Sequence, residues 1–258
     1  MDMKRFFICA AAAAILAPLF SSCRTDVIGG TINETNKFDM TTMEWLAQQE
    51  ETKVVAELFD RAGLADQVNG DVTLISPSKY SVNRYIRRKN YGFRNGVEGA
   101  VEFKLEDMTP AELAKMGMYI FPGKWGREDI PKEGVYLTSV DGSQEILLTL
   151  DETNTDPGSA YDGGNAAGAG FQYSNFLLTT PKLIHVLFKR GANWELTYLE
   201  RANLTPDNDE CDQSYRMYVS DVHTNTGVVH VLYSGDSSYN EHFYYHSLLF
   251  FGKHADDK

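Results

Sequence analysis

The stretch from Tyr218 to Leu232 limits what this chain can fold into more than any other. Two runs rich in β-branched residues, Tyr218 to Val222 and Val228 to Leu232, flank a polar connection that contains Asn225 and Gly227. Asn and Gly tolerate φ > 0 in tight loops, so the pattern predicts a hairpin with these two at its turn. Along the second arm Val229, Val231 and Tyr233 alternate with Val228, His230 and Leu232, leaving almost no polar position. A strand of that kind is covered on both faces and belongs at the centre of a core.

The other end of the chain bears on location. Lys4 and Arg5 precede an apolar run from Phe6 to Phe20, followed by Ser21, Ser22 and Cys23. A short basic segment, an apolar segment too short to span a bilayer and a small-residue exit describe a signal peptide over residues 1–22. Ser-Ser-Cys resembles a lipobox, with Phe20 where that motif usually has Leu, Val or Ile. The expectation is a lipid on Cys23 and a place in the cell envelope, held to the outer membrane. Cleavage there takes the formal net charge from −12 to −13. So acidic a protein does not bind nucleic acid through its overall charge. Cys9 would leave with the signal and Cys23 would carry lipid, so Cys211 alone would keep a thiol and no disulfide framework is expected.

Residues 23–37 are polar and without apolar period, which suits a tether between the anchor and a folded body. Thr41 with Glu44 forms a capping-box pattern ahead of Met43, Leu46 and Ala47 at helical spacing. A second helix from about Thr52 sets Val54, Val55, Leu58, Phe59 and Ala62 on one face and stops at Gly63. A strand is expected from Val72 to Ile75, then a helix opened by Ser76-Pro77-Ser78 with Val82, Tyr85 and Ile86 aligned. Thr109, Pro110 and Glu112 supply an N-cap, an N1 proline and a capping acid. Val135 to Val140 and Glu145 to Leu150 form a hairpin around Asp141-Gly142.

Two of these stretches resemble the signature boxes of fasciclin-like (FAS1) domains. Thr73, Leu74, Ile75, Ser76, Pro77 and Ser78 match the first box, usually Thr-Leu-Phe-Ala-Pro-Ser/Thr. Ser220, Asp221, Asn225, Gly227, Val228, Val229, His230 and Val231 match the second, with Thr226 inserted between Asn and Gly. Between them Met118 to Gly123 is similar to the family's Tyr-His-Val-hydrophobic-Pro-Gly, with Met118 and Tyr119 at the Tyr-His pair. The resemblance implies an α+β fold, a FAS1-like β-sandwich or wedge of two sheets with N-terminal helices packed on it. It covers residues 38–252 as one domain, ahead of a charged tail at 253–258, and it implies that Leu74 and Val231 share one apolar interior.

Residues 151–214 exceed what a minimal domain of that family needs, and are read as an insertion. A loop rich in Gly, Asn and Asp opens it. Strands are expected at Phe176 to Thr180, Leu183 to Lys189 and Trp194 to Leu199, the last two joined as an inserted β-hairpin, and Phe243 to Phe251 is expected as a final strand.

The sequence offers no compelling catalytic constellation: there is no Gly-x-Ser-x-Gly elbow, His-Glu-x-x-His, phosphate loop or paired cysteines. His242 and His246 would share a strand face, but packed strand residues are the better reading than a zinc pair, and no metal or cofactor is expected. Asp151, Asn154 and Asp156, and Asp207, Asp209 and Asp212, are read as solvated acidic loops in preference to calcium sites. Against the overall charge, Lys79, Arg84, Arg87, Arg88, Lys89 and Arg94 lie in a stretch without an acid, with Arg84, Arg87 and Arg88 on one helical face. These three are candidate contacts for an anionic partner or a solvated face. Tyr161, Phe171, Tyr173 and Trp194 are candidates for stacking on a sugar or protein surface, or for packing in the core.

What the resemblance implies for function is adhesion. The expectation is a lipid-anchored, non-catalytic binding protein whose partner is an extracellular glycan or a surface protein. The alternative is an accessory structural subunit of an outer-membrane nutrient-uptake or surface assembly.

Overall fold

In a computed structural model, which describes residues 36–151, 183–194, 212–233 and 246–249, the helix signals of the sequence produce helices. All of these residues fall within one unit, Ile32–Lys258. Thr41 caps α1 (Thr42–Gln48) with both arms of the capping box in place. The buried face is Thr42, Trp45 and Leu46, one step away from the expected Met43, Leu46 and Ala47, because the Trp45 ring turns inward against Phe38. Helix α2 (Lys53–Arg61) buries Val55, Ala56, Leu58 and Phe59. It ends as the sequence predicts: Gly63 has φ +69°, and the Gly63 and Leu64 N–H groups reach back to the Asp60 and Phe59 carbonyls. A short α3 (Ala65–Val68) leads into β1 (Val72–Ser76). Then come α4 (Lys79–Lys89), α5 (Tyr91–Arg94) and α6 (Pro110–Ala114), the last with Thr109 as N-cap.

The remaining strands are β2 (Ile120–Pro122), β3 (Val135–Thr138), β4 (Glu145–Asp151), β5 (Leu183–Phe188), β6 (Gln213–His223) and β7 (Gly227–Leu232). They run β2-β1-β7-β6-β5-β4-β3 in an α+β fold. Strand β6 belongs to two sheets: its first half pairs with β5 and its second half with β7. Register shifts at Met217/Val219 and Val219/Val222 let one long strand serve both, since bulges bend and twist a strand.

The stretch read as a hairpin is one, β6 and β7 being antiparallel, and every residue of β7 is buried. Its turn works differently from the expectation. Neither Asn225 nor Gly227 has positive φ; among the non-glycine residues of this hairpin it is Asp221 that does, at 64°. Gly227 is needed for a close approach, because a Cβ there would sit 2.6 Å from the Val72 carbonyl oxygen of the neighbouring strand. The inserted Thr226 also has a task. Its Oγ1 accepts from the Thr42 N–H at 3.0 Å, satisfying a donor at the α1 N-terminus that has no partner within the helix.

Strands β1 and β7 are parallel, with Thr73, Leu74, Ile75 and Ser76 opposite Val228, Val229, His230 and Val231. Leu74 and Val231 lie in one hydrophobic cluster that also takes Leu46, Phe59 and Tyr85 from the helices and Ile146, Val186 and Phe188 from the second sheet. Burying each such large apolar side chain contributes about 1.5–3 kcal/mol. The structure differs from the sequence reading at β5. This strand lies between β4 and β6 as an inner member of the second sheet, whereas the sequence places it in a hairpin inserted into the domain. The other strands expected within the insertion fall outside the described residues, as does most of the expected C-terminal strand; of that stretch, Ser247 makes a bridge and residues 248–249 turn.

Candidate functional site

Helix α4 carries the basic stretch, and its arginines point elsewhere than expected. Ser81, Val82 and Tyr85 face the core, which commits the neighbouring turn as well. Arg84 and Arg87 are half-buried, and Arg88 is only 6% exposed. The row at i, i+3 and i+4 therefore turns towards the body, near enough to His246 that Arg88 and Arg84 act on its charge. The lysines at either end meet acids. Lys79 lies 3.0 Å from Glu51, and Lys89 lies 2.9 Å from Glu112. Glu112 is a junction: it also accepts from the Tyr85 hydroxyl at 2.8 Å and the Thr109 N–H at 2.8 Å. The Lys89 hydrogen bond first, then the Thr109 backbone, hold its carboxyl down at about 2.

His246 is fully buried among Tyr119, Phe188 and Tyr215. Both ring nitrogens meet hydroxyls, Nε2 with Tyr119 at 3.1 Å and Nδ1 with Ser81 at 2.9 Å. Burial, then Arg88 and Arg84, push its pKa down to about 3. Tyr119, standing where the resemblance has the Tyr-His pair, thus ties the 246–249 segment to β2, because its hydroxyl also accepts the Leu249 N–H at 3.0 Å. His242, expected with His246 on one strand face as a packed residue, lies outside the described residues. Among those described, no group of three His, Cys, Asp or Glu is placed to hold a metal ion. Asp212 is buried and accepts from the Arg190 N–H at 2.7 Å, while Asn154, Asp156, Asp207 and Asp209 lie outside the described residues.

A second polar knot forms at the β6 bulge. The Asp221 N–H donates to His230 Nδ1 at 3.0 Å, so the proton of that imidazole sits on Nε2 and points at the Trp125 carbonyl, 2.9 Å away. Burial is the main cause that lowers the His230 pKa to about 4. The Asp221 carboxylate accepts from the Arg127 N–H at 2.7 Å and Asn36 Nδ2 at 3.1 Å, and meets His223 Nε2 at 3.0 Å. Gly126 leaves room for His223, whose Cε1 would be 2.6 Å from a Cβ there. Strained backbone at a buried carboxylate is where function is often found, but here each group holds another and the product is an anchored chain entry: Phe38 N–H bonds the His223 carbonyl. Asp221 and His230 stood out in the sequence; Asn36, Trp125 and Arg127 did not, because only folding brings them near.

On the surface, Trp194 finds a partner that sequence reading missed. Tyr136, on β3 at the end of the strand order, is 55% exposed, and its ring centroid lies 5.2 Å from that of Trp194 at an interplanar angle of 68°. Lys189 Nζ lies 5.6 Å from the Trp194 centroid and pairs with Glu145. Tyr136 stands opposite Leu147, which stands opposite Leu187, so alternation along β3 and β4 sends Tyr136 to the face away from Ile146 and Leu148 of the core cluster. Two aromatic rings with an ammonium and a carboxylate beside them can stack on the C–H face of a sugar ring while bonding its hydroxyls. Cys23, Tyr161, Phe171 and Tyr173 lie outside the described residues. Compared with protein-family models and with curated proteins, the chain matches none.

Proposed function

We propose that this chain is an exported FAS1-type binding protein, anchored by lipid on Cys23 and acting without catalysis, and that it holds a glycan at the corner formed by Tyr136 and Trp194. The corner carries the reading, with exposed Tyr136 against Trp194 and Lys189, paired with Glu145, beside the Trp194 ring. Two further observations support it. Thr73–Ser76 of the first signature box and Val228–Val231 of the second lie side by side on β1 and β7. The imidazoles of His230 and His246 and the carboxylate of Asp221 are engaged inside the body, in bonds that hold it together. A formal charge of −12 favours neutral sugars over polyanionic ones.

A glycan array probed with the wild-type chain and with Tyr136→Ala and Trp194→Ala tests this. The expectation is binding to neutral glycans that falls about tenfold or more in either variant, the scale of one stacking contact. Thermal melting of both variants controls for folding. An array without binding, or binding equal in all three proteins, rejects the corner. Palmitate labelling in cells checks the anchor separately, and an unlabelled Cys23 removes it.

A further inference from the structure

Among the described residues, five of the nine large apolar side chains left exposed lie between Tyr80 and Val101: Tyr80, Tyr91, Phe93, Val97 and Val101. The last four sit on one projection after α4, at 43, 47, 57 and 83% exposure. So dense a patch on an acidic surface calls for an occupant. The projection is built to hold its shape. The Val97 N–H bonds the Gly92 carbonyl at 3.0 Å, Gly96 bonds Phe93 at 3.2 Å and Ala100 bonds Val97 at 3.1 Å. At its tip Gly96 and Gly99 have φ of +67° and +79°, and a Cβ on either would meet nothing within 4 Å. The result is a convex knob with aromatic and branched side chains outward, open to solvent around its turns.

We infer that this knob seats in the headgroup interface of the bilayer that carries the lipid anchor, an inference that rests on the lipidation of Cys23 proposed above. Twelve residues separate Cys23 from Asn36, the first described residue. Fully extended they reach about 40 Å, less than the roughly 45 Å diameter expected for a body of this length. The body is therefore confined beside the lipid at a high effective concentration, where even weak insertion is populated. Tyr and Phe are the side chains that settle at that interface, and the exposed Arg94 and Lys104 flank them for lipid phosphates. Glu98 and Glu102 are exposed on the same segment and offset those cations. Insertion of the apolar tip, and not charge, thus carries the contact, which predicts only slight weakening by salt. A convex apolar tip suits a deformable lipid interface better than a flat protein face.

The test uses the full lipidated chain in proteoliposomes of phosphatidylethanolamine and phosphatidylglycerol. Phe93→Trp reports on the knob and Tyr136→Trp on the sugar corner, with the wild-type tryptophan signal subtracted. The expected result is blue-shifted emission from Phe93→Trp and at least twofold quenching by lipids brominated near the headgroup, changing little with salt. Tyr136→Trp should be unquenched. Adding Val97→Ser and Val101→Ser should abolish the quenching without lowering the melting temperature. An unquenched Phe93→Trp in chains shown by mass spectrometry to carry lipid overturns the inference. A blue shift that instead follows protein concentration also overturns it and gives the knob to a second copy of the chain. Should Cys23 prove unlipidated, the anchor fails. Without the lipid the body is not confined at the bilayer, and the inference about the knob falls with the anchor.

Discussion

Gly227 shows how a residue can be identified correctly and explained wrongly. In the sequence it looks like the φ > 0 position of a turn, but its backbone is ordinary and what it provides is room, with the Val72 carbonyl 2.6 Å from where a Cβ would stand. The obstructing atom belongs to the backbone of the central parallel strand and cannot swing away. Gly227→Ala should therefore cost about 2–3 kcal/mol, in the upper range for forced overpacking. Asn225→Ala gives up one exposed bond to Asp39 and should cost under about 1 kcal/mol. Urea unfolding of the two variants checks the order, and equal midpoints would mean that the Val72 carbonyl gives way to a Cβ at little cost. Sequence shows which residue is small; it does not show what comes near it, because Val72 approaches from far along the chain.

Elements tell a similar story. Capping boxes at Thr41 and Thr109, the glycine stop at Gly63 and the apolar face of α2 are local, and all were legible. The facing of α4 was not. Its arginines share a stripe as expected, but Tyr85 and Val82 fix the helix rotation and carry Arg88 inward. The clamp between α4 and α6 was also hidden, since Glu112 looked only like a cap while it also bonds Tyr85 and Lys89. Because its carboxyl is held at about 2 in the folded protein, against 4.5 ordinarily, Glu112 adds stability that is fully present above about pH 4.5 and lost as pH falls through about 2. With its side chain 21% exposed, screening leaves about 1–2 kcal/mol of that. Glu112→Gln should lose this amount at pH 7, and the gap to wild type should close as the pH approaches 2. A gap that stays constant with pH would mean that the charge of Glu112 does not matter.

At the scale of the whole molecule, two sheets share β6 and close over one interior that holds both Leu74 and Val231, while the parallel pairing of β1 with β7 was not legible, because no local signal joins such distant strands. Nor did the sequence show that β5 completes the second sheet, since residues 152–182 separate it from β4 and residues 189–212 from β6. The same closure encloses His230 under the first sheet's bulge and His246 against Phe188 and Tyr215, burying both completely. Folded, they take protons only near about 4 and about 3; unfolded, each does so near 6.5. As pH falls below 6.5 the unfolded chain gains protons that the folded chain refuses, so folding stability drops until about pH 4, where His230 begins to charge in place. Each imidazole accounts for at most about 1.4 kcal/mol per pH unit, or on the order of 3 kcal/mol across the window. Urea unfolding from pH 7 to pH 4.5 should show midpoints falling steeply. His246→Phe leaves the Ser81 and Tyr119 hydroxyls without their imidazole, so it should be less stable at pH 7, yet its stability should fall less steeply with acid. That change in slope separates titration from packing: a lost contact lowers the whole curve, whereas a lost proton site flattens it. Parallel curves for the variant and the wild type would show that His246 accepts its proton while folded, and that the interior is open to water at this point.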